Sequence, residues 1–128
     1  MKKLLSIVFF IGSTFLLNSQ SVNKLKKDLL NSIEEKTLEL TSLSDKIWEA
    51  AEVAFREDKS AEYLIEYAEA NGLTIERGLA GMPTAFTASY GKGKPVIGII
   101  GEFDALPGLS QTTAPYRDEL IEGGAGHG

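Results

Sequence analysis

The stretch PVIGIIGEFDALPG, residues 95–108, sets the reading of the chain. Its first part, Pro95–Phe103, is aliphatic without polar alternation, which predicts a strand covered on both faces inside an α/β layered domain. The strand closes on two carboxylates, Glu102 and Asp104, and a proline turn follows at once. The C-terminal edge of such a strand is where open α/β sheets bind ligands. On an extended backbone, side chains two apart point the same way, with ~6–7 Å between their Cα atoms. Like charges that close repel unless a cation or a donor lies between them. The pair therefore reads either as a metal-facing site or as two solvated carboxylates on a loop.

Upstream, Thr74–Leu79 and Thr84–Tyr90 also read as strands. "GKGK", residues 91–94, lies between the last two strand-like pieces and is read as a hairpin loop joining Thr84–Tyr90 to Pro95–Phe103. It lacks the G-x-x-x-x-G-K-[ST] spacing of a phosphate loop, and no helix follows it. Phe86, Ala88 and Tyr90 should then share one face. Before the strands, "REDKSAEYLIEYAEANGL" predicts a helix with Leu64, Ile65 and Ala68 on its apolar face. Asp58 or Ser60 caps its start, and Asn71-Gly72 supplies a left-handed stop.

Further back, Val22, Leu25, Leu29, Ile33, Leu40, Leu43, Ile47, Ala51 and Ala54 recur mostly at steps of three and four, one face of a helix from Val22 to Phe55 lying across a domain. The hydroxyl cluster at Thr41–Ser44 is its expected break. A coiled coil is the other reading, but Lys36 and Thr37 interrupt the seam.

Residues 1–20, MKKLLSIVFFIGSTFLLNSQ, have a positive start, an apolar run and a polar end, the pattern of a secretory signal peptide. Leu4–Leu17 falls short of the ~20 residues of a spanning helix. Cleavage is expected between Ser19 and Ser21, which leaves 21–128 as the mature domain, periplasmic or secreted. That part carries 11 basic and 18 acidic side chains, a formal charge of −7. The balance argues against nucleic acid and against anionic membrane surfaces as partners. With no cysteine, no disulfide framework supports the fold.

After Pro107 the chain has turn formers, no sustained period, and its single histidine, His127. Loops of that length are functional or disordered. Taken together, "GEFDALPGLSQ", "AGMPTAF" before it, "GGAGHG" after it and the upstream "IWEAAEVAFREDKSAEYL" resemble the aminoacylase/carboxypeptidase family of metal-dependent amidohydrolases, in its aminobenzoyl-glutamate-hydrolysing branch. The resemblance runs from about residue 45 to 128.

That resemblance implies the start of a zinc-exopeptidase-like α/β/α sandwich with a mixed sheet. It implies hydrolysis of N-acyl amino acids or aminobenzoyl-glutamate-like substrates by two divalent metal ions, zinc or manganese. It makes Asp104 the catalytic carboxylate that orients a metal ligand, and sets Glu102 and His127 as candidate metal ligands. In better-known relatives a histidine ligand stands where this chain has Glu102, and a lone histidine in a glycine loop, as His127 is, is more often a bystander than a ligand.

Relatives run from "GAGHG" into C-G-H-N, so the chain is expected to be the front end of the catalytic domain, truncated before that motif and the lid domain. Alone it should then be inactive, since two-metal hydrolysis needs more ligands and a base. Oligomers, homomeric or heteromeric, would form through the lid. The reading from another class is a non-catalytic exported protein that binds or associates through its long helix.

Overall fold

The computed structural model describes residues 22–127. The expected leader, residues 1–20, lies outside the described residues. The chain divides near residue 40 into two compact units. Among the described residues it is a small α/β protein with three α-helices and a two-stranded antiparallel sheet.

Helix α1 (22–35) stops at Lys36 and α2 (Thr37–Ala50) begins at once. The break expected at Thr41–Ser44 thus falls earlier. The backbone N–H of Lys36 donates to the Ile33 carbonyl at 3.1 Å, a tight three-residue step, and the Thr37 hydroxyl donates to the same oxygen at 3.4 Å. A hydroxyl competing for a helical carbonyl favours such a step. Helix α2 ends at Ala50 rather than at Phe55, because Ala51 turns left-handed with φ 44°. It has no buried residue, whereas a helix lying across a domain, as expected, would bury one face. No helix among the described residues is long and apolar enough to cross a membrane.

Helix α3 (Asp58–Ala70) buries Ser60, Ala61, Ile65 and Ala68. The last three share a face at steps of four and three, and the helix packs on both strands. Its stop is as expected. Gly72 takes φ +81°, its N–H reaches Glu69 O at 2.9 Å, and the Leu73 N–H reaches Ala68 O at 3.0 Å. These two bonds satisfy carbonyls that the helix end would leave open. Arg77 of the sheet clamps Glu62 of α3 through both guanidinium nitrogens.

Strand β1 (Thr74–Arg77) pairs antiparallel with β2 (Phe86–Ser89) in the register Ile75↔Ala88 and Arg77↔Phe86. Eight residues connect them, closed by the Gly78 N–H on Ala85 O at 2.8 Å. Two strand expectations thus hold in shortened form, and the third does not. Pro95–Phe103 forms no strand, and "GKGK" joins no hairpin, because β2 takes β1 as its partner. A strand exists only through a neighbour's ladder, and none of the described residues supplies one to residues 95–103. Val96, Ile97, Ile99 and Ile100 are instead 83–94% exposed, so this run is covered on neither face. Tyr90 lies past the end of β2 and is exposed, so only Phe86 and Ala88 share a strand face.

An apolar run left open in this way recruits other chains. The chain by itself is expected to associate at micromolar concentration. Ile97→Lys with Ile99→Lys should restore a small species, as checked by light scattering behind a sizing column. An equally monodisperse parent would show that the run is covered in solution.

Candidate functional site

The motif around Asp104 is held from three sides. Phe103 packs on Phe86 of β2, ring centroids 6.2 Å apart and tilted 45°. This contact ties the segment to the sheet even though no ladder does. Glu102 is exposed, Asp104 half-buried, and Ala105 buried at 1% exposure.

On the second side stands the turn between α2 and α3. The Ala105 N–H donates to the Glu52 carbonyl at 2.7 Å, and Val53 and Ala105 form a parallel bridge. The Glu52 side chain reaches the other way, to the first turn of α3. Its Oε1 accepts from the Lys59 N–H at 3.1 Å, while Oε2 accepts from the Ser60 N–H at 2.8 Å and the Ser60 hydroxyl at 2.9 Å. Helix starts leave such N–H groups open, and a carboxylate there also meets the positive end of the helix dipole. Neither Asp58 nor Ser60 caps the helix as expected; the cap arrives from eight residues upstream.

Next to it, buried Glu57 accepts the Thr84 hydroxyl at 2.7 Å, fixing the turn to the connector ahead of β2. Ala51 and Phe55, with φ 44° and 65°, adopt a left-handed backbone without being glycine. That costs on the order of 1–3 kcal/mol each and persists only where the surroundings over-determine the turn.

Burial pushes the Glu52 carboxyl upward, but the hydrogen bonds from Ser60 and Lys59 outweigh it and hold the group below the usual carboxylate range. A carboxylate depressed on folding contributes stability above its unfolded value, ~4.3, and loses it as pH falls through the folded one. Melts of the parent should therefore weaken below about pH 4. Glu52→Gln should remove part of that dependence, and superimposable pH profiles would discount the clasp.

The third side is the glycine run. Leu106 and Gly126 form an antiparallel bridge, N–H to carbonyl at 2.9 and 3.1 Å. The Ser110 N–H donates to Gly124 O at 2.9 Å, and the buried Ser110 hydroxyl accepts from the Ile121 N–H at 2.9 Å. The segment between is bonded to itself. Gln111 donates to Tyr116 O at 2.8 Å and accepts from the Asp118 N–H at 3.1 Å, and the Thr112 hydroxyl meets Asp118 at 2.9 Å. The two motifs that carry the family resemblance, "EFDALPGLSQ" and "GGAGHG", thus meet directly.

His127 follows Gly126 directly in the chain, and Asp104 lies two residues before the bridged Leu106. The His127 Nε2 is buried and has no hydrogen-bond partner. A buried nitrogen left open costs about 1–3 kcal/mol and calls for a ligand or proton partner. Asp104 and His127 are thus each within two residues of the Leu106–Gly126 bridge. Even so, among the described residues no three His, Cys, Asp or Glu side chains group closely enough to hold a metal ion. Glu52, Glu57, Ser110 and Gly126 escaped the sequence reading as site residues. The resemblance of "IWEAAEVAFREDKSAEYL", which contains the first two, pointed at the α2–α3 turn without giving either a role.

Over 99 residues, 77% of its length, the chain is 41% identical to one of the subunits of p-aminobenzoyl-glutamate hydrolase from Escherichia coli (strain K12). The chain spans about a fifth of that curated relative, 21%. No family profile matches the chain. No solved structure matches it. Kinship with a hydrolase polypeptide is thereby shown, in agreement with the resemblance drawn from the "EFDALPGLSQ" element.

Proposed function

We propose that residues 21–128 form part of the catalytic domain of an exported metal-dependent amidohydrolase, led by residues 1–20 as a signal peptide. The observation that carries the reading is the 41% identity to the hydrolase polypeptide over 99 residues. The domain would be the beginning of a zinc-exopeptidase-like sandwich with a mixed sheet, in which Pro95–Phe103 gains strand neighbours. Its substrates would be N-acyl amino acids or aminobenzoyl-glutamate-like amides. The chain alone, with a partial donor set, would be inactive.

The residues present fit one flank of a metal centre rather than a whole one. The open, buried Nε2 of His127 has the character of a ligand awaiting its ion, and Asp104 is two residues from the bridge next to it. Glu102, exposed two residues before Asp104, is the third candidate donor. A bound zinc or manganese pair would activate water and stabilise the oxyanion formed from the amide. The chain's own contribution is to hold Asp104 half-buried between the Glu52 turn and the Gly126 strip, where a carboxylate can orient a neighbouring imidazole.

The test is a chimera in which this chain's matched residues replace their counterparts in the E. coli relative. With added zinc or manganese it is expected to hydrolyse p-aminobenzoyl-glutamate. A folded, metal-loaded chimera without hydrolysis would sink the reading.

One observation favours the second reading, an exported protein that associates through helices. Val22, Leu25, Leu29, Leu30 and Ile33 on α1 are 50–70% exposed. A stable oligomer abolished by Leu29→Lys, beside an inactive chimera, would select it.

A further inference from the structure

Glu52 is bonded to two parts of the chain that the proposed chemistry needs in fixed relation. Its carboxylate holds the start of α3 through Lys59 and Ser60, and its carbonyl holds the N–H of Ala105, the residue next to Asp104. The bond donated by the Ala105 N–H, at 2.7 Å, is shorter than the one its neighbour Leu106 donates to Gly126, at 2.9 Å. The left-handed residues Ala51 and Phe55 bracket the segment, and the buried Glu57–Thr84 bond anchors its far end. Freed from α3, the turn would relax, and the carbonyl that faces Ala105 would move with it.

We propose that Glu52 is a positioning residue: by fastening the α2–α3 turn to the first turn of α3, it sets the backbone of Asp104–Ala105 and so the place of the Asp104 carboxylate. This rests on the reading in which Asp104 serves amide hydrolysis. The Glu52 side chain never meets the reacting atoms in this arrangement; it acts through its own main chain.

Amide hydrogen exchange of the full chain tests the proposal, comparing parent, Glu52→Ala and Glu52→Gln. In Glu52→Ala the Ala105 amide is expected to exchange about tenfold faster or more. The Asp104 amide resonance should shift with it. The amides of the β1–β2 ladder and of Leu106, bonded to Gly126 instead, should stay within about twofold, as local opening requires. Glu52→Gln keeps one accepting oxygen and should recover most of the Ala105 protection.

An Ala105 amide unchanged in Glu52→Ala, or one that accelerates only together with the whole ladder, overturns the proposal. The outcome is separable from that of the chimera. A responsive Ala105 with an inactive chimera keeps the clasp and removes the enzyme reading, while the reverse removes the clasp alone.

Discussion

Asp104→Asn, placed in the active chimera, is expected to lower hydrolysis of p-aminobenzoyl-glutamate by ~10–100-fold or more, the range for losing a carboxylate that orients a metal ligand. Asparagine keeps the size and half-buried setting of Asp104 and removes its charge, so the loss reports on electrostatics rather than packing. Glu102→Gln should do less harm, because Glu102 is exposed where Asp104 is half-buried. The measurement is initial rate with metal in excess, parent beside both variants, with a melt to show that each is folded. Wild-type rates from Asp104→Asn would make the carboxylate a loop cap and nothing more.

Gly126→Ala is the stability change with the largest expected effect. A Cβ at this position would lie 2.5 Å from the Leu109 carbonyl oxygen and 2.7 Å from the Ser110 Cα, both main-chain atoms that cannot swing aside. Forcing one methyl into a packed strip costs about 1–3 kcal/mol. The strip would respond by opening the Leu106–Gly126 bridge, so the Leu106 amide should exchange ~10–100-fold faster, the same energy read as a rate ratio. Gly123→Ala is the control, because a Cβ there meets nothing within 4 Å, although its φ of +63° still strains an alanine. Equal behaviour of the two variants would mean that backbone conformation, not close approach, decides this loop.

The parts legible in the sequence are those decided locally. Asn71-Gly72 stops α3 because only the glycine's own backbone preference is involved. The carboxylate motif and the glycine run were visible as residue patterns, but their meeting, through the Leu106–Gly126 bridge, was not. What the sequence could not disclose depends on distant contacts. Glu52 reads as one more polar residue at a helix end until Ala105, 53 positions later, is seen to bond its carbonyl. Pro95–Phe103 has the composition of a buried strand, but composition does not provide a neighbour, and the run stays exposed. The break at Lys36 came from one shared carbonyl, a detail below the resolution of apolar spacing.

The Leu106–Gly126 bridge also bears on how this region tolerates change in length. It brings the two ends of residues 107–125 together, so the excursion hangs from a closed neck. Closure entropy grows only with the logarithm of loop length, about 0.6 kcal/mol for each doubling. Residues 112–120 could therefore be lengthened, shortened or replaced by a foreign peptide while the Leu106–Gly126 bridge beside His127 stays closed. The neck, with Ser110, Gly124 and Gly126 in it, is the part that must be left alone, which makes the tip of this loop a site for tags, labels or grafted recognition sequences.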